Sequence, residues 1–492
     1  MTPLGLDAIE AELDQMTSLS SLSALAMLEG YRQRRFTPVD VVEAVIDALE
    51  AADERLNILV TPMFAEAREA AAQAAAAWAS GTPEGALCGV PVTVKDLIYL
   101  AGVPAHAGAP TLRDFVPDVD AAVVTRLRAA GAVITGKTTT CESGYKLTAD
   151  SPLTGITRNP WDPTRTSGGS SGGAAAGVAS GAGPLALGTD AVGSIRVPSS
   201  FCGVFGIKPT FGLVPRAPGF FPPSWGSLAH TGPIGRRVAD VALLLEVIAG
   251  FDMRDAVSLP QPPRRFDLGS GRLDGVTIAV SPDFGYAAVD PAVRAAFAAA
   301  VDSLADLGAD IRPAGLTFAP DVLEAVLKPI GFTEQAAAVG DRSEQDLALS
   351  EPEFRATVDQ GLTYAGTDYV KALHERAKLR GLFLGVFEQA DILVTPTVAV
   401  TAFEAGTIGT DVVDGQSVDR HLGWSPFSWP INLAGLPAAS IACGFDPAGL
   451  PIGLQIVGPA LGEDVVLKVA AAFEAARATG RPWPETAPVR AP

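Results

Sequence analysis

Residues 164–173 read TRTSGGSSGG, and residues 188–210 read GTDAVGSIRVPSSFCGVFGIKPT. In a chain otherwise rich in Ala, Leu and Val, two such runs of small residues ask for a reason. A disordered tether uses this composition, and so do a phosphate loop and the backbone cradle of a nucleophile. What stands before and after the two runs decides among them.

The surroundings read as a packed α/β fold. The chain has 492 residues, 48% of them hydrophobic, enough for a large core and too many for global disorder. Thr37 and Pro38 open a helical pattern through Val41, Val42, Val45 and Leu49, and residues 65–79 are alanine-rich and helix-forming. Val90, Val92 and Val94 then make a short strand that ends on the charged pair Lys95-Asp96. A helix over 121–130, a stop at Gly131 and a strand over 132–135 repeat the theme. Further strands are expected at 276–280, 392–395, 438–442 and 453–457, with helices at 238–249, 291–307, 367–385 and 463–477. Such alternation predicts a large mixed sheet covered by helices on both faces. No long polar segment divides the chain, so residues 1–492 are read as a single domain, with 1–62 as a helical segment packed on it and 482–492 as a loose tail.

Charge and rare residues exclude several functions. The formal net charge of −19 repels phosphate backbones and anionic lipid, so neither nucleic acid nor a membrane is expected as partner. With no signal-peptide pattern and no long apolar run, a cytoplasmic location is expected. Cys88, Cys141, Cys202 and Cys443 stand apart among apolar neighbours and read as reduced core thiols. The four histidines, His106, His230, His374 and His421, have no zinc-ligand spacing; neither a metal nor a cofactor is expected.

Two patterns mislead. Gly131 to Thr138 fits GxxxxGK[ST], yet its middle, residues 132–135, is itself a β-branched strand with no room to curl round a phosphate. Gly168 to Gly172 fits the GxSxG elbow, but the turn-rich NPWDPTR precedes it where a hydrophobic strand is required. What remains is a serine nucleophile whose base is not histidine. A lysine serves when desolvation keeps it neutral, and Lys95, at the end of an apolar strand, has that setting.

Together the TSGGSSGG run, the 188–210 run and the VTVKD strand resemble the amidase signature family. GVPVTVKD, DAAVVTRLRAAGAVITGKT and HTGPIGR extend the likeness over 89–233, the signature core, and DILVTPT, NLAGLPAASIACGF and GLPIGLQIVGP extend it toward the end. The resemblance implies Lys95 as general base, Ser170 as a bridging serine after a cis peptide bond, and Ser194 as nucleophile, the two serines lying 24 positions apart as in the family. It implies an oxyanion hole from the backbone N–H groups of Ala191, Val192, Gly193 and Ser194, with Ser171 helping to hold Lys95. Asp190 and Arg196 read as a pair that shapes the loop. Where the family commonly has Gly-Gly-Ser, this chain has Val192-Gly193-Ser194, and a β-branched residue does not readily take positive φ.

The implied activity is hydrolysis of the C–N bond of a small apolar aryl or alkyl carboxamide. A carbamate or ester hydrolase using the same steps is a variant, and the glutaminase-type subunit of a tRNA-dependent transamidase is an alternative. Phe220, Phe221 and Trp225, on a proline-stiffened loop, are candidate pocket walls, and the resemblance adds Cys141, Tyr145, Phe427 and Trp429. A small-molecule amide or carbamate is the expected ligand, and a monomer or homodimer the expected assembly.

Overall fold

The computed structural model describes residues 3–219, 226–262, 264–339 and 342–478. Eleven strands form one sheet, in the spatial order Leu59–Pro62, Val133–Thr138, Pro91–Lys95, Leu185–Asp190, His230–Gly235, Phe205–Lys208, Ala438–Phe445, Pro451–Val457, Ile392–Pro396, Thr277–Val280 and Asp310–Pro313. Pro91–Lys95 runs parallel to both its neighbours, as does Thr277–Val280 to its own, and the remaining pairings are antiparallel. The sheet is therefore mixed, as expected. Buried residues from the helices Ala122–Ala129, Val238–Ile248, Pro291–Asp306 and Glu463–Ala478 share one core cluster with the strands, while Pro38–Leu56 and Gly172–Ala179 contribute to a second.

The elements read from periodicity sit close to where they were expected. Pro38–Leu56 begins with Thr37 and Asp40 in a reciprocal cap, which satisfies two amides that a helix start leaves open. The strand Leu59–Pro62 is an addition: the end of the expected helical segment joins the sheet edge, antiparallel to Val133–Thr138. The expected loose tail, 482–492, lies outside the described residues. No helix among the described residues is long and apolar enough to cross a membrane.

Parallel pairing positions the site. Val92, Thr93 and Val94 lie beside Leu185, Ala186 and Leu187, so Lys95 and Thr189 emerge together at the same end of adjacent strands. The two small-residue runs close over that end. Ser170 and Ser171 lead into the helix Gly172–Ala179, and Ser194 leads into Arg196–Cys202.

Candidate active site

Lys95 is fully buried, and no carboxylate pairs with it among the described residues. Its amine lies 2.7 Å from Ser170 Oγ, 2.9 Å from Ser171 Oγ and 2.8 Å from Thr189 Oγ1. Burial disfavours the ammonium and pulls the Lys95 pKa down to about 7, against the more distant pull of Cys141 and Asp190. Gly188, the residue before Thr189, leaves space for this arrangement: a Cβ there would stand 2.9 Å from Ser171 Oγ.

The Gly169-Ser170 peptide bond is cis, as the resemblance implied. Gly168 has φ +72°, and a Cβ on Gly169 would fall 2.2 Å from the Thr148 carbonyl, so neither position accepts a side chain without rearrangement. Ser171 precedes its helix without capping it, because its hydroxyl is engaged elsewhere. It donates to the Thr189 carbonyl at 3.1 Å and accepts from the Thr189 N–H at 3.2 Å. With its proton committed to that carbonyl, its oxygen can only accept from Lys95.

Ser194 is 2% exposed, and its carbonyl accepts from the Ser171 N–H at 3.1 Å. Its hydroxyl bonds to no group among the described residues. Lys95, Ser170, Ser171 and Thr189 thus form one hydrogen-bonded cluster, and Ser194 is tied to it through the backbone.

The loop that carries Ser194 is shaped by a buried ion pair. Arg196 Nη2 and Nε donate to Asp190 Oδ1 and Oδ2 at 2.9 and 3.0 Å, and both side chains are fully buried. Burial alone would raise the Asp190 pKa, but the Arg196 guanidinium outweighs it and holds the carboxyl well below the usual range. Asp190 also accepts from the amides of Gly193 at 2.8 Å and Ile195 at 3.1 Å. The Gly193 N–H, expected among the oxyanion donors, therefore turns toward the carboxylate, which competes for it as a charged acceptor. Among the described residues the amides of Ala191, Val192 and Ser194 have no protein acceptor.

Gly193, not Val192, carries the positive φ, +131°. The Val192 side chain is buried in the core with Val197 and Phe427, and its carbonyl accepts from the Ser428 hydroxyl at 2.6 Å. The structural demand feared at residue 192 thus falls on the neighbouring glycine.

Candidate wall residues divide into two groups. Cys141 and Tyr145 are buried against Val339, Phe354 and Val358, and the Tyr145 hydroxyl donates to Glu351 at 3.0 Å. Phe427 and Trp429 are buried in the larger core, where the Phe427 ring lies 5.3 Å from that of Phe284. Phe220, Phe221 and Trp225 lie outside the described residues.

The two misleading patterns resolve as reasoned. Gly131 is a turn with φ +76°, followed by the strand Val133–Thr138, and Lys137 reaches Asp96 at 2.8 Å and the Pro104 carbonyl at 2.9 Å. At the other, His230 cannot serve a serine as base: one ring nitrogen lies 3.1 Å from the Asp190 carbonyl and the other 3.3 Å from Lys208 Nζ. Among the described residues no group of three His, Cys, Asp or Glu side chains could hold a metal ion.

Sequence reasoning missed Thr189, Asn432 and Gln455. Asn432 Nδ2 donates to Asp190 Oδ1 at 2.8 Å, and Gln455 accepts from Arg196 at 2.6 Å. None carries a chemical mark in the sequence; only strand register beside Lys95 could have drawn attention to Thr189.

Comparison with known proteins fits this geometry. Residues 40–467 match the model of the amidase family. The chain is 35% identical to an acylamidase of Rhodococcus erythropolis, over 96% of this chain and 98% of that one. It is 36% identical to a glutamyl-tRNA(Gln) amidotransferase subunit from Salinispora tropica, over 93% and 98%. The crystal structure of a bacterial aryl acylamidase of the amidase signature family superposes with a TM-score of 0.86 at 29% identity, over 94% of this chain and 99% of that one. The chain belongs to the amidase family, the amidase signature enzymes, and is an amide-hydrolysing enzyme.

Proposed function

We propose that the protein hydrolyses small apolar carboxamides, aryl or alkyl, through an acyl-enzyme on Ser194. The single observation that carries this reading is the buried Lys95 amine, 2.7 Å from Ser170 Oγ and unpaired with any carboxylate among the described residues. A neutral amine has two N–H groups and one lone pair. Ser171 and Thr189 take the two N–H groups, which leaves the lone pair for the Ser170 proton. Once the Ser194 hydroxyl, unbonded at rest, turns to Ser170, Ser170 passes its proton to Lys95 as it takes that of Ser194, whose oxygen attacks the carbonyl carbon. The amides of Ala191, Val192 and Ser194 receive the oxyanion while Asp190 keeps the Gly193 amide in place. The C–N bond breaks as the proton returns through Ser170 to the leaving nitrogen. Water then opens the ester by the reverse path.

The likeness to acylamidases supports an anilide or alkyl amide. Carbamates and esters offer the same electrophilic carbon, so they belong to the expected range. A second reading has support of its own: similarity to the amidotransferase component is as high as to the acylamidase, which is consistent with a glutaminase-type role inside an assembly. The purified chain alone distinguishes them. Release of aniline from acetanilides without a partner is expected, together with a fluorophosphonate adduct on Ser194. Turnover confined to glutamine would favour the assembly, and an unchanged intact mass after fluorophosphonate would refute the acyl-enzyme. We place the enzyme in the cytoplasm, as a monomer or homodimer.

A further inference from the structure

Gln335 lies on the helix Lys328–Val339, fully buried, and neither its amide nitrogen nor its carbonyl oxygen has a hydrogen-bond partner among the described residues. A buried carboxamide left unpaired destabilises a fold, so its presence asks for a function. Its neighbours place it. On one flank the Phe332 ring stacks on His421, centroids 6.0 Å apart, and His421 Nε2 lies 3.3 Å from the Tyr145 carbonyl. One turn after Gln335, Val339 packs with Cys141 and Tyr145. That wall reaches the cluster at Gly144, where a Cβ would stand 3.3 Å from Ser170 Oγ. On the other flank Glu334 accepts from the Ser227 amide at 3.2 Å. The next residue, Leu228, gives its carbonyl to Asn432 at 3.3 Å, and Asn432 holds Asp190. Gln335 thus lies on the stretch of helix between two walls, one leading to Ser170 and the other to the Asp190–Ser194 loop.

We propose that Gln335 faces the bound substrate and sets specificity by hydrogen-bonding a second, neutral polar group remote from the scissile bond, of the secondary-amide or ureido class. The inference deepens the amidase reading and rests on it. A carboxamide donates and accepts at once, so it matches a group that carries both N–H and C=O. It brings no charge, so a carboxylate or ammonium would be desolvated against it without compensation. A purely apolar ligand leaves it unpaired, and a site built to hydrogen-bond rejects such analogues strongly.

The test uses two acetanilides with equal heavy-atom counts, one bearing a para-acetamido group and the other para-isobutyl. Calorimetric binding is measured to Ser194→Ala protein with and without Gln335→Met. The acetamido compound is expected to bind about tenfold tighter when Gln335 is present, and the preference to vanish in the methionine variant. The Tm of Gln335→Met should rise, because an unpaired buried amide is removed; a group with a purely structural bond would lower it. Should the methionine variant fail to fold, Gln335→Leu, which likewise has neither donor nor acceptor, is expected to lose the preference too. A preference that survives substitution, or is absent with Gln335 in place, overturns the proposal. Turnover of the two anilides by the unsubstituted chain is read separately. No turnover alongside an intact binding preference overturns the amidase reading alone, and turnover without preference overturns this proposal alone.

Discussion

Lys95 illustrates how a single residue acquires a role from what is absent around it as much as from what is present. Burial draws the pKa of the amine down to about 7, and its partners are three hydroxyl oxygens with no anion among them. The proposed relay needs the neutral form, so kcat/KM should climb as pH rises through about 7 and level off above it. A rate independent of pH between about 6 and 9, with chemistry limiting, would contradict a lysine base. Lys95→Ala and Ser194→Ala should each remove nearly all turnover while the circular dichroism stays unchanged. Thr189→Val tests the proton count more finely. An ammonium needs three acceptors and a neutral amine two, so deleting one oxygen disfavours the charged form and moves the rising limb to lower pH. The freed N–H then competes with the lone pair for Ser170, and the plateau should fall roughly tenfold.

Among the elements, the loop from Asp190 to Arg196 is held by an ion pair that solvent does not reach. Asp190→Asn leaves the guanidinium buried without its counter-ion and should cost about 3–5 kcal/mol in urea unfolding. The pH dependence has a fixed sign. Because the folded-state pKa of Asp190 is depressed, its contribution is present above the ordinary aspartate value near 3.8 and is lost as pH falls toward the folded value. The asparagine variant should therefore show a shallower loss of stability on acidification. At this scale the sequence was only partly legible. Long amphipathic helices such as Pro291–Asp306 and β-branched strands such as Ile392–Pro396 announce themselves by period. The strands Phe205–Lys208 and His230–Gly235 do not, because glycine and proline interrupt them and only the flanking strands make them extended. The helix Gly172–Ala179 carries three glycines, a poor helical composition that close packing requires: Cβ atoms on Gly172 and Gly173 would fall 2.4 and 2.3 Å from their neighbours. The resemblance pointed to Lys95, Ser170 and Ser194, whereas the engagement of the Gly193 amide became visible only once the Asp190 carboxylate had a position.

For the molecule as a whole, eleven strands make one continuous sheet with the proposed catalytic cluster at the end of two interior members. Pro91–Lys95 and Leu185–Asp190 are hydrogen-bonded neighbours, and each has a further strand on its other side. A tear along this seam would separate Lys95 from Thr189, so the ladder leaves no hinge between them. Amide protons of Val94 and Leu187 should accordingly be among the last to exchange with deuterium, yielding only when the entire molecule melts, while the helices from Lys328 to Thr363 exchange sooner. Like a workbench bolted to the foundation, the floor of the proposed site stays put, and whatever breathing admits a substrate or releases an amine has to come from the roof.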